Sequence, residues 1–370
     1  MTMLASLLDN YVSVALSPSP SIAPPSPQTS ASDSPLWANL VVGVLGGLLG
    51  GTGVFAASWR STRALRDNTR ETLGHERTRL LNERFDTAAR LLGHGEAACR
   101  LAGVHAMAGL ADDWAERRQT CIDVLCAYLR MPYPPRPGED APVKEDLTWQ
   151  ANREIRHPVI RTIRDHLLPT TPPETSWSRY DLDFTGTVFD GGDFSDAKFS
   201  GGTVSFSGVE FSGGTVDFSE AKFSSDVYFD HAEFSSGTVD FGNAKFSGGD
   251  VLFISAKFDD GTVDFRGAMF SASIIFDYAQ FSGGTVDFRS ARFSGTFTSF
   301  AYVELSGGTV HFDNSWFSGG GVTFLEAEFS GAIVDFRRAR GVLPPYFDDG
   351  VLTDPPPGLL LPDTPPEPAS

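Results

Sequence analysis

The chain has 370 residues and a formal net charge of −18, too long for one ordinary domain and short for three. The acidity is local: residues 181–340 hold 23 acidic and 10 basic side chains, whereas residues 59–179 hold 17 acidic and 19 basic. Such a surface argues against gripping a nucleic-acid backbone, and is compatible with solubility or with a basic protein partner.

Residues 1–35 end in a Pro/Ser low-complexity run (SPSPSIAPPSPQTSASDSP) and are expected to be disordered. Between Asp33 and Arg60 there is no charge for 26 residues, and Trp37 and Trp59 bracket the apolar run. About 20 apolar residues can cross a bilayer, so 36–59 is expected to be a transmembrane helix. Six arginines follow it (Arg60, Arg63, Arg66, Arg70, Arg77, Arg79) and none precedes it, which would make the protein single-pass in the cell membrane with its bulk in the cytoplasm. Gly43, Gly47 and Gly51, four apart, would form a close-packing anchor face able to support a homodimer, although glycine is also simply common in membrane helices.

Residues 60–179 read as helical. A long charged segment gains apolar residues toward Leu80, Phe85, Ala89 and Leu92. "EAACRLAGVHAMAGLADD" and "AERRQTCIDVLCAYLRM" then carry apolar residues at helical spacing, and "TWQANREIRHPVIRTIRDHLL" makes a last helix with a kink or restart at Pro158. Cys99, Cys121 and Cys126 form neither an even disulfide framework nor a metal-binding spacing, so buried free thiols are expected. The motifs "RLAGVHAMAGLADD", "CIDVLCAYLR" and "REIRHPVIR" resemble the membrane-proximal region of a group of actinobacterial pentapeptide-repeat proteins. Helix pairs of this kind are similar to armadillo or HEAT units, which implies a protein-binding role.

From Phe184 to Phe336, phenylalanines recur at spacings of five, six and seven, a period that fits neither an α-helix nor a flat strand. The core positions include Phe199, Phe206, Phe211, Phe218, Phe223, Phe229, Phe234, Phe241, Phe246, Phe253, Phe258, Phe265 and Phe270, with Leu305 replacing one of the later rings. Two residues before each stands Ala or Val (Ala197, Val204, Val209, Val216, Ala221), so the unit is (A/V)-x-F-x-x with extra residues after every second unit. Internal periodicity of this sort means a solenoid. The unit resembles the pentapeptide repeat, and the resemblance implies a right-handed quadrilateral β-helix over 180–341, four units per coil, each Phe pointing inward. The insertions, as in "SGGTVDF", should widen two opposite corners and lengthen the coil from 20 to about 24 residues, with Gly pairs supplying positive φ there. The fold class is thus an N-terminal transmembrane helix, a small armadillo/HEAT-like helical domain and an all-β solenoid. Over 342–370, "GVLPPYFDDGVL" is expected to cap the last coil, and the Pro-rich remainder to stay disordered.

Catalysis has no motif to rest on. The seven histidines are scattered, with His231 and His311 at outward corners of the ladder, and the pair Asp259–Asp260 reads as solvated surface. No catalytic residue, cofactor or metal is expected, and the chain is not expected to be an enzyme. The first functional expectation is a membrane-anchored scaffold presenting the acidic rod to an unknown cytosolic protein, with no direct nucleic-acid contact. A second comes from the family resemblance, in which some members are similar to B-form DNA in shape and charge and bind DNA gyrase. A third is an enzyme with its site between the helical domain and the first coil.

Overall fold

The computed structural model describes residues 50–362 apart from 139, 296 and 342–345, with side chains from residue 70 onward except 71. The chain divides into two compact units, Met1–Asp86 and Thr87–Ser370. The described part of the first is helix α1 (Gly50–Leu92), whose end from Thr87 belongs to the second unit. The expected membrane span is overturned: among the described residues no helix is long and apolar enough to cross a membrane. Residues 36–49, with Gly43 and Gly47, lie outside the described residues. Gly51 to Trp59 form the opening turns of α1, which runs directly into Arg60, Arg63 and Arg66.

In the second unit three helices follow: α2 (Ala97–Asp113), α3 (Arg118–Leu129) and α4 (Val143–Leu167). Their cores follow the apolar spacing, with Val104, Met107 and Leu110 on α2, Ile122, Leu125 and Leu129 on α3, and Ile155, Val159, Ile163 and Leu167 on α4 all buried. Helix α2 packs on both α3 and α4, and α3 and α4 in turn touch the first coil of the β region. The helices therefore form a lid on the solenoid, and α4 runs through Pro158 as one continuous 25-residue helix.

The β region is a solenoid of about seven turns. On its first face Leu182, Val204, Val227, Val251, Ile274, Thr298 and Val322 pair in parallel, successive partners standing 22–24 residues apart. The second face aligns Phe189, Phe211, Phe234, Phe258, Phe281, Leu305 and Phe329. The third aligns Val216, Val239, Val263, Val286, Val310 and Val334, and the fourth Phe199, Phe223, Phe246, Phe270, Phe293 and Phe317. The inserted residues fall between faces two and three and between faces four and one, the two opposite corners.

Each ring lies on the equivalent ring of the next coil at the ~4.8 Å strand spacing. In one stack Phe218, Phe241, Phe265 and Phe288 sit 4.8–5.0 Å apart and within 7° of parallel. Across the coil that stack meets Phe229, Phe253 and Phe276 edge to face, at 85–90°. Offset stacking along the axis and edge contacts across it satisfy the ring quadrupole in both directions. This is why an acidic region can devote so many positions to Phe: the rings fill the interior, and the carboxylates stand on the outer side of the wall, where Asp264, Asp287 and Asp335 are buried in pairs with arginines.

The two tight corners depart from expectation. Ten non-glycine residues, among them Asp196, Glu220, His231, Asn243 and Tyr302, adopt φ of 55–62° two places after a core Phe. The N–H of the following residue donates to the Phe carbonyl (Ala221 to Phe218, 3.1 Å; Ala244 to Phe241, 3.0 Å), as in a type II turn. At the wide corners the second glycine of several pairs supplies the expected positive φ, as at Gly214 (64°), Gly284 (64°) and Gly308 (72°), and the first answers a need for space. A Cβ at Gly283 would stand 2.0 Å from Asp259 O, and one at Gly307 2.1 Å from Ser282 O, so the coils stack too closely there for a side chain. His231 occupies a tight corner as expected, whereas His311 lies in a strand of the third face.

The last coil is closed by the tail. Tyr346 bridges Thr323 in parallel, and Phe347 stacks on Phe324 at 5.3 Å. Leu359–Leu360 pairs with Val334 and Asp335, in a segment expected to stay disordered. Residues 363–370 lie outside the described residues.

Candidate functional site

The helical lid meets the first coil through arginines and one aspartate. Asp190 stands at the wide corner after Phe189, facing α4 and the segment after α3. Its carboxylate accepts from Tyr133 Oη at 2.8 Å and Arg153 Nε at 3.1 Å, and lies 3.1 Å from His157 Nε2. Burial pushes this carboxyl up, but the hydrogen bonds from His157 and Tyr133 and the charge of Arg153 hold it below its ordinary value. Burial and the bond to Asp190 push the Tyr133 phenol up, so it stays a donor. Nearby, buried Arg156 donates to Leu129 O and Val188 O, both at 2.8 Å, with its guanidinium 4.4 Å from the Tyr133 ring centre. Arg130 binds Asp183, and Arg164 reaches Ser195 Oγ at 3.0 Å.

A groove of about 660 Å³ opens beside this cluster, lined by Tyr133, Arg136, Trp149, Arg153, Glu154 and Ser212 among others. On its wall Asp190, Tyr133 and Arg153 are committed to one another, while the Trp149 Nε1–H is buried without a hydrogen-bond partner. A carboxylate carrying three partners is a poor base, and a phenol donating to it is a poor nucleophile. The arrangement works as a latch between lid and solenoid. Cys121 and Cys126 are buried among the helices, their thiols pushed up to about 12 by burial, which leaves them unreactive. Among the described residues no group of three His, Cys, Asp or Glu could hold a metal ion.

The solenoid exterior is sorted by charge. On the second face the outward residue before each core position is Glu210, Glu233, Lys257, Gln280, Glu304 and Glu328 in successive coils. On the third it is Asp193, Asp217, Asp240, Asp264, Asp287, His311 and Asp335. These aspartates have a local purpose, since each such carboxylate accepts the N–H two residues on, as Asp217 does from Ser219 at 2.8 Å and Asp240 from Gly242 at 2.7 Å. Arg266, Arg289 and Arg337 then pair with Asp264, Asp287 and Asp335. The fourth face, opposite the second, reads Lys198, Lys222, Lys245, Met269, Arg292, Trp316 and Arg340.

The core residues anticipated from the sequence, Phe199 through Phe270, are all buried in the stacks. Asp259 of the expected surface pair accepts from Ser282 Oγ at 2.6 Å across coils. The Asp190 latch and the charge columns were not anticipated. Reading the residue before every fourth Phe would have exposed the fourth-face column, because Ala-Lys-Phe recurs at 197–199, 221–223 and 244–246.

A family profile described as pentapeptide repeats (9 copies) matches residues 184–233 and 213–257. No curated protein and no solved structure matches the chain. The profile match falls on the coils whose ring stacks and corner turns are described above, and with a solenoid of about seven turns it identifies the chain as a pentapeptide-repeat protein.

Proposed function

We propose that the chain is a non-enzymatic protein-interaction module, a rigid rod that displays side chains in fixed columns to a protein partner. The observation that carries this reading is the sorting of charge by face: glutamates on the second, aspartates on the third, lysine and arginine on the fourth. A solenoid holds such columns at the strand repeat without cost in flexibility, which suits recognition of an extended surface. The columns weigh against DNA mimicry, which needs acidic potential on every face a DNA-binding protein would touch. Proximity labelling from a tag after Ser370 tests the reading. Enrichment of one protein set, lost when the solenoid coils are deleted, is the expected result. No enrichment above background would overturn it, and enrichment of DNA gyrase subunits would favour mimicry.

A further inference from the structure

We infer that the fourth face is a track for an extended acidic segment of a protein partner, a proposal that rests on the interaction-module reading and names the partner's chemistry. Lys198 pairs in register with Lys222, and Lys222 with Lys245, so three lysines share one register column whose backbones repeat at the ~4.8 Å strand spacing. Like charges directly opposite one another destabilise a sheet. In a region with 23 acids and 10 bases an intervening carboxylate would relieve this at once, yet none is interposed. Asp196 and Glu220 stand two residues upstream on the corner, and among the described residues neither forms an ion pair with these lysines, whereas Lys257 on the second face pairs with Glu233 at 2.7 Å. The uncompensated column is what an external anion would neutralise.

The far half of the column adds anchoring groups. Arg292, Trp316 and Arg340 are direct register partners, all exposed, with Trp316 at 47%. They line a groove of about 650 Å³ with Met269, Asn314 and Ser318. Arginine and tryptophan side by side are the residue types that dominate binding energy at protein interfaces. The column is one coil face wide, with carboxylates on the second and third faces. A single peptide strand fits within it, whereas a nucleic-acid duplex would bring its phosphates against those carboxylates.

The test uses the full chain and fluorescence anisotropy with a labelled oligo-glutamate peptide containing one Phe. Binding is expected, weakening with salt, and falling about tenfold or more in Lys198→Glu/Lys222→Glu/Lys245→Glu. Trp316→Ala should weaken it separately, and Glu210→Gln/Glu233→Gln on the opposite face should leave it unchanged. The neutral triple variant Lys198→Gln/Lys222→Gln/Lys245→Gln, checked for an unchanged melting temperature, separates lost binding from lost folding. Absence of peptide binding, or equal binding by both triple variants and the parent, overturns the track. Tighter binding of oligothymidylate overturns the assignment to a peptide, and self-association abolished by the triple variants would assign the face to a second copy instead. If proximity labelling still returns its protein set from the triple variant, the track falls and the interaction-module reading stands.

Discussion

The two ends of the solenoid solve one problem with opposite chemistry. An open coil leaves a row of unpaired main-chain groups above an exposed core, an invitation to association. At the first coil the closure is made by side chains from a separate helical layer. Arg156 reaches Val188 O, Arg164 reaches Ser195, Gln119 exchanges bonds with Asp181, and three groups converge on Asp190. At the last coil the closure is made by more of the same ladder: Phe324 N–H donates to Tyr346 O, Val334 N–H to Gly358 O, and Phe347 adds one ring to a stack. The first end is a polar clamp on a finished rod, and the second is an unfinished coil. The clamp depends on charge and precise donors. The coil depends on main-chain acceptors and one ring, so the two ends should fail differently.

The interior sets the scale for both. Phe241 is fully buried between Phe218 and Phe265, at 5.0 and 4.8 Å, and its neighbours cannot collapse because their positions are set by the ladder. Phe241→Ala should cost ~3–5 kcal/mol in equilibrium denaturation of the full chain, more than damage at either end. A cost under ~1 kcal/mol would mean that the rings are not a continuous stack.

At the clamped end, Arg156→Ala leaves Leu129 O and Val188 O without donors and empties the space beside Tyr133. The expected loss is ~2–4 kcal/mol. Hydrogen exchange should show α4 opening first, with amides near Leu359 still protected. At the other end, truncation after Arg340 removes the partial coil and exposes Phe324 and Val334. There the expected readout is association in sedimentation, with little change in the exchange of α4. A truncated chain that stays monomeric would show that the last coil needs no cover.

Much of this contrast was legible in advance, and what was not has physical reasons. The ladder announces itself because every coil repeats the same local demand, a small residue, an outward residue and a ring. The widened opposite corners follow from where the extra residues stand. Left-handed backbone at Glu220 or Tyr302 was hidden, since those residues carry no glycine signature and the neighbouring coils impose the turn. The pairing of Leu359–Leu360 was hidden by its prolines, although no proline occupies the paired positions and the carbonyls of Gly358 and Leu360 remain to accept from Val334 and Phe336. The expected span over 36–59 was not borne out, since Gly51–Trp59 lie in a helix that continues through Arg60 into charged sequence and no described helix is long and apolar enough to cross a membrane. Asp190 could not be seen at all: its partners Tyr133 and His157 stand 57 and 33 residues away in sequence, and no local pattern links them.

The smallest effect is the most specific to the clamp. Asp190→Asn keeps the shape and one acceptor for Tyr133 but removes the charge that Arg153 and His157 face. The folded carboxyl lies below its ordinary value, held there by those partners against the upward push of burial. A group whose folded value is depressed adds stability that is complete above its unfolded value of about 3.9 and is lost as pH falls through the folded value. At pH near 7 the variant should therefore be less stable by ~1–2 kcal/mol, the scale of charge-assisted hydrogen bonds. In acid below the depressed folded value the gap should close, because the parent's own carboxyl is then protonated. Asp287 and Asp335, depressed by Arg289 and Arg337, will weaken both proteins alike in acid, so the quantity to follow is the difference between the two melting curves. A difference that stays constant from neutral to acid pH would show that Asp190 holds the lid by shape alone and that the clamped end is no more electrostatic than the coiled one.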